Sequence, residues 1–459
     1  MELLNRYLRL FLIMAMISQV TFAYDFKEGG LCFNFNEDGK SVTMTYETLI
    51  LFAHDAPAPI EKGYIGDIII PENVKYEGKT YKVTAIDRET FMGNSELYRV
   101  YIPTSVKIIG RGAFMHCNRL KEVILPPDLT EINDYMFAES GLQSIMIPNK
   151  VKKIGRSAFS NCYFKSINIP NSVETIGTSA FSACRWLEQV TLGNSVKTIG
   201  EAAFSICTKL TAINLPASLN EIGEKAFYEC GNLTSVTIPA SVSDIGAGAF
   251  RSCHKLTAIN VEQANKRYDS RDNCNAIIET ATNTLVVGCN GTTVPSRVTT
   301  IGTEAFYGCD GLKTADIPAT VTEIGDHAFF YCKNIKTLDI PNSVTIIRDY
   351  AFVGCDSLEK VTIPNSVKVI CGHAFLHDDH IKSLTIGSAV NYIGTWAFKG
   401  LDEVMSITSL IEDVNGVKMG KDVFDEIDKS SCKLYVPRGT ADLYKAAPQW
   451  QDFKNIIEL

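Results

Sequence analysis

The chain of 459 residues is 46% hydrophobic, 21% charged and 10% aromatic, a globular composition that excludes a disordered polymer, a collagen and a coiled coil. Its 44 Lys and Arg stand against 52 Asp and Glu, and the net charge of −8 gives no global attraction to nucleic acid or to an anionic membrane. Length alone suggests about three domains of ~150 residues, unless a shorter unit repeats.

Residues 1–23 read as an export signal rather than as part of the fold. Arg6 and Arg9 supply the positive start, residues 10–20 an apolar stretch shorter than the ~18 residues of a membrane span, and Thr21-Phe22-Ala23 a small-residue cleavage site. Cleavage is expected after Ala23. The first cysteine, Cys32, lies past that site, so lipoprotein acylation is not expected, and periplasm, cell surface and medium all remain open as destinations. Residues 24–85 follow as an N-terminal β-rich cap, with strands near 31–35, 41–46 and 66–70.

From residue 86 one line recurs: I-G-x-x-A-F-x-x-C-x-x-L-x-x-V-x-I-P. Its opening isoleucines are Ile86, Ile109, Ile132, Ile154, Ile176, Ile199, Ile222, Ile245, Ile301, Ile324, Ile347, Ile370 and Ile393. The steps between them are 22 or 23 residues except for one of 56, which is a period of 23 plus an insertion of 33. In the unit at Ile176, the residues Ala180, Phe181, Cys184 and Leu187 fall on one face of a helical or 3₁₀-like turn segment. Val190 and Leu192 then alternate with polar neighbours as in a half-buried strand. Pro103, Pro170, Pro239 and Pro364 end that strand in their units, because proline has no N–H for a ladder. No such unit buries its own apolar residues, so the units must stack, each lending one face to the next. The expected fold is a repeat solenoid of mixed α+β segments, a right-handed leucine-rich-repeat-like coil of about thirteen units over residues 86–411. A β-hairpin insertion at 262–293 projects from it, and residues 412–459 form a C-terminal cap with a short helix near 440–447.

Nine of the 14 cysteines occupy one slot of the repeat. Ladder neighbours sit ~4.8 Å apart with parallel side-chain vectors, whereas a disulfide needs Cβ atoms ~3.8 Å apart, so buried thiols are expected there. Cys274 and Cys289 differ: they lie symmetrically about the hairpin turn and are the candidates for a disulfide. No C-x-x-C, H-E-x-x-H, G-x-S-x-G or glycine-rich nucleotide fingerprint occurs. His373, His377 and His380 form the one cluster that could hold a metal, with His373 and His377 at helical i,i+4 spacing; the alternative is a polar exposed turn. No cofactor is expected.

Binding is the better prospect. Residues after the motif valine point out of the core and tile one face: Tyr101, Ile124, Met146, Asn168, Thr191, Asn214 and Thr237. The first three form an apolar patch on an otherwise polar row, which marks either an interaction site or a surface covered by the N-terminal cap.

The repeat line resembles the BspA-like class of bacterial leucine-rich repeats, found in exported and surface proteins of host-associated bacteria. The flanking Gly29-Gly30-Leu31-Cys32-Phe33-Asn34 and Leu434-Tyr435-Val436-Pro437-Arg438-Gly439 are similar to gut Bacteroidetes members. The resemblance implies adhesion for some relatives. The chain is therefore expected to be an exported, non-catalytic, monomeric binding protein that takes protein or glycan partners, on host matrix or another bacterial surface, through the strand face. The alternatives are an envelope scaffold without a dedicated ligand, or a metal-dependent protein using His373, His377 and His380.

Overall fold

The computed structural model describes residues 24–46 and 64–459, so the expected export segment lies outside the described residues. The chain divides into two compact units, residues 1–151 and 152–459.

In the first unit, strands Phe26–Glu28, Leu31–Phe35 and Ser41–Thr45 form an antiparallel meander. The last of these runs parallel to Lys79–Ile86, which places Met44 beside Ile86, and Ile86 in turn pairs with Ile109. Met44 thus holds an isoleucine place in the ladder, and the array starts before residue 86. A second parallel sheet joins Gly66–Ile69, Leu97–Tyr101 and Glu122–Ile124. Between the sheets the rings of Phe91, Phe114 and Phe137 stack at 5.0 and 5.2 Å.

The second unit repeats this plan more often. Ile154, Ile176, Ile199, Ile222 and Ile245 pair in register along one parallel ladder. Phe159, Phe181, Phe204, Phe227 and Phe250 form one file with ring centroids 5.2–5.7 Å apart, close to the ~4.8 Å spacing of strands. A second ladder runs Ile301, Ile324, Ile347, Ile370, Ile393 and then Met419, and a second ring file runs from Phe306 to Phe398 and on to Phe424. The repeat therefore continues past residue 411. Steps of 26 from both Ile393 to Met419 and Phe398 to Phe424 had hidden this coil.

The segment expected to be helical is a run of β-turns. Ala180, Ser182 and Cys184 donate their amides three residues back, to Gly177, Ser179 and Phe181, while Ser179, Phe181 and Ala183 donate to Glu201, Ala203 and Ser205 of the next coil at 2.7–2.8 Å. A helix would keep all these bonds to itself; here every second amide ties one coil to the next. The arrangement requires φ near +55° at Ser179 and +58° at Ala183, the third positions of turns that ordinarily favour glycine.

The insertion is also built into the ladder rather than projecting from it. Ile277–Glu279 and Thr284–Val287 form an antiparallel pair, but Leu285 then runs parallel to Ile301 and takes an isoleucine place. Gly288 stands where the ring would be: a Cβ there would lie 2.2 Å from the Phe306 ring. The two phenylalanine files of this unit end on either side of it. At the C-terminal end, the helix Ala441–Ala446 and strand Asn455–Glu458 bring Trp450 and Phe453 to within 4.7 and 5.5 Å of the Phe424 ring.

Candidate binding face

Within the first unit, strand alternation turns Ile68, Val100 and Val123 inward and leaves their successors outside. Ile69, Tyr101 and Ile124 are paired in register, and Met146 holds the same motif position in the following coil. Ile69 is 72% exposed, Ile124 47% and Met146 85%, values normally found for charged side chains. The expected alternative was that the N-terminal segment lies over this row. Strand Gly66–Ile69 joins the sheet edge to edge and lengthens the row by one apolar residue, while residues 47–63 of that segment lie outside the described residues.

The row has a charged rim. Arg99 Nε lies 3.2 Å from Asp67, and Arg119 bonds both Glu96 and the Tyr98 hydroxyl at 3.2–3.3 Å. Asp67 raises the pKa of the Arg99 guanidinium, and Tyr98 and Glu96 that of Arg119. An apolar stripe bordered by fixed charges is the composition of a recognition surface. Sequence reasoning missed Ile69, although the alternation of Ile68 and Ile69 in the expected strand carried the signal.

In the second unit the equivalent row is polar. Asn168 lies in register with Thr191 and Thr237 with Asn260, while Asn214 follows the strand Ala212–Ile213; all these side chains are exposed. They offer hydroxyl and amide groups at regular spacing but no apolar anchor.

The histidines do not converge. The His373 ring stacks on Tyr350 at 4.3 Å and meets Trp396 edge-on at 5.3 Å, and burial among them lowers its pKa. His377 lies 3.9 Å from Asp379, and His380 faces solvent. Among the described residues, no group of three or more His, Cys, Asp or Glu side chains is placed to hold a metal ion. The i,i+4 argument assumed a helix; in a run of turns, residues four apart do not share a face in the helical way.

The thiol slot has a structural role that spacing alone did not reveal. Cys117, Cys184, Cys207, Cys230, Cys253, Cys332 and Cys355 direct Sγ at the carbonyl of the phenylalanine one coil back, at 2.9–3.4 Å. Burial pushes the thiols of Cys117 and Cys253 up to about 12, and those of Cys184, Cys207 and Cys230 well above their ordinary value. They are hydrogen-bond donors in a dry interior, unsuited to nucleophilic or metal chemistry. The expected Cys274–Cys289 disulfide is absent, and both are free thiols. Cys274 faces Ala276 O and Cys289 faces Asn275 O, and the strand pair between them is itself irregular, its register shifting between Ile277 and Ile278.

Among the described residues no helix is long and apolar enough to cross a membrane. No curated protein matches the chain. Two crystal structures share its fold. A leucine-rich repeat protein from Bacteroides ovatus is 26% identical, with a TM-score of 0.61, over 84% of this chain and 94% of that one. A leucine rich cell surface protein from Faecalibacterium prausnitzii is 28% identical, with a TM-score of 0.62 and the same two coverages. Residues 84–184, 152–277 and 287–404 match the model of the BspA type leucine rich repeat region, in six copies. With more than half its length in that match, and with the isoleucine, phenylalanine and thiol files that the repeat produces, the chain belongs to the BspA-type leucine-rich repeat family.

Proposed function

We propose that this is a non-catalytic recognition protein, exported by way of residues 1–23, which grips a protein or glycan partner with the strand face of its first unit. The carrying observation is the apolar row Ile69, Tyr101 and Ile124, paired in strand register with Ile69 and Ile124 solvent-facing, bordered by paired charges and continued by the exposed Met146 at the same motif position. Repeats of this type serve recognition rather than catalysis as a class, and a relative of the same fold is a cell surface protein.

The test is a screen of the full chain against immobilised extracellular matrix proteins and glycans, repeated with Ile124→Glu and Met146→Glu. Because both side chains face water, melting temperatures should stay within about 1 °C of the parent, a surface substitution being worth under ~0.5 kcal/mol. Affinity for the partner should fall at least about tenfold, the loss of one buried apolar anchor. A parent chain that binds nothing in the screen, or variants that bind as the parent does, would refute the proposal.

A further inference from the structure

In the turn segment, the residue whose amide bridges to the next coil is Ser157, Ser179 and Ala202 in the first coils of the second unit. Further along, the same position carries rings: His327, Tyr350, His373 and Trp396. All four hold φ of 53–59° and donate their amides one coil on, to the carbonyls of Asp349, Gly372, Thr395 and Lys421 at 2.9–3.1 Å. Their side chains make one column. Tyr350 lies between two imidazoles, 4.7 Å from His327 and 4.3 Å from His373, with interplanar angles of only 13° and 7°. Trp396 meets His373 edge-on at 5.3 Å, and the Phe330 ring adds a tilted contact to His327 at 5.1 Å.

These two imidazoles differ from the other described histidines. His116, His254 and His377 each have a carboxylate oxygen within 3.9 Å, and His380 faces solvent. His327 and His373 are partly buried against rings, and among the described residues neither has a carboxylate at ion-pair distance. Most charges facing the column are already paired. Glu304 is held by Arg251 at 2.9 Å, Glu323 by Arg348 at 2.7 Å, and Lys399, over the Trp396 ring at 4.7 Å, by Asp425 and Glu426 at 3.0 and 3.1 Å. Burial pushes the nearby Cys371 thiol up, so it carries no charge at neutral pH. For His327, burial lowers the pKa against the attraction of Glu304, Asp326 and Asp349, with Arg251 adding to the lowering. For His373, burial lowers it against Asp349 and the Gly372 backbone. Cation–π attraction to Tyr350 offsets only part of the lost hydration, because one ring then serves two cations that repel each other.

We propose that the His327–Tyr350–His373 stack is an acid-responsive catch on the turn side of the second unit. With both imidazoles neutral, the rings pack face to face and cover the amides that tie one coil to the next. On acidification each imidazole gains one proton at its unprotonated ring nitrogen, the two cations part from Tyr350 to regain water, and the bridging amides of His327, Tyr350 and His373 lose their cover. The folded-state pKa is the lower one for both groups. The stacking contribution is therefore present in full above the ordinary ~6.5 and is lost as pH falls through the folded-state values. Coils with Ser157, Ser179 or Ala202 at this position have nothing there to titrate. The catch lies in the second unit and stands or falls independently of the face proposed above.

Amide hydrogen exchange of the full chain, read by mass spectrometry at pH 7.5 and pH 5.5, tests this against the double variant His327→Gln, His373→Gln, whose amides stay neutral at both. Comparing the two chains at the same pH removes the intrinsic pH dependence of exchange. At pH 5.5 the parent should exchange several-fold faster than the variant over residues 346–376, and at pH 7.5 it should be protected at least as well. Residues 198–206, with Ala202 at the bridging position, should exchange alike in both chains at both pH values. A parent as well protected as the variant at pH 5.5 overturns the proposal. The parent alone supplies a second measurement, which holds even where the double variant does not fold. With ¹³C-labelled histidine, the resonances assigned to His327 and His373 by the two single variants should both titrate below the ordinary ~6.5, and either one titrating at or above it overturns the proposal.

Discussion

At Asp378 a carboxyl group has replaced a ladder thiol. Its Oδ1 accepts the Cys355 amide at 2.7 Å, while Oδ2 is buried without a partner. Burial, aided by the like charges of Asp356 and Asp379, raises its pKa well above the ordinary carboxyl value and favours the neutral form. A carboxyl group with a raised folded-state pKa stabilises fully below the unfolded value of ~3.9, and that contribution is lost as pH climbs through the folded-state value. Asp378→Cys restores the donor found in neighbouring coils and removes the titration. It should therefore gain about 1–3 kcal/mol at pH 8 and progressively less toward pH 4. Urea unfolding at the two pH values measures this, and a gain independent of pH would mean that the carboxyl does not titrate with folding.

Among the elements, the ring files and the turns that carry them decide stability. Phe204 is fully buried between Phe181 and Phe227, at 5.2 and 5.7 Å, and neighbouring coils cannot collapse into its place without breaking their turn bonds. Phe204→Ala should cost about 3–5 kcal/mol, whereas a solvent-facing change in the preceding coil, Thr191→Ser, should cost under ~0.5 kcal/mol. Chemical denaturation separates the two, and a small loss at Phe204 would mean that rings do not couple the coils. The isoleucine and phenylalanine files were legible in the sequence because a buried position admits few residue types and so repeats almost unchanged. The helical reading failed because Ala180, Phe181, Cys184 and Leu187 show helical spacing, while the left-handed conformations that exclude a helix sit on Ser179 and Ala183, whose side chains give no warning. The partial coil at Leu285 escaped because glycine replaces its ring. On the candidate face, Tyr101, Ile124 and Met146 were legible from alternation, but Ile69 emerged only once the sheet register was known.

For the molecule as a whole, stacking without closure leaves an end to protect. The segment after residue 436 does this at the C-terminal side: Asn455–Glu458 pairs with Lys433–Val436, and Trp450 and Phe453 roof Phe424. The Tyr444 hydroxyl lies 2.5 Å from Ser409 Oγ and donates to Ile411 O at 2.8 Å, which locks the roof to the last coils. A chain shortened by residues 437–459 should expose an unpaired strand edge and an aromatic floor, and should run as oligomers by light scattering. A monodisperse shortened chain with the parent's melting temperature would show that the end needs no cover.

Gly288 also bears on how such an array carries load. Everywhere else in the second unit, neighbouring coils are joined by ring contact, isoleucine pairing and bridging amides together. Beside Gly288 the ring contact is missing and part of the strand ladder is open, with Arg251 and Glu304 making a 2.9 Å clasp on the turn side. Under tension along the repeat axis this is the seam that parts first.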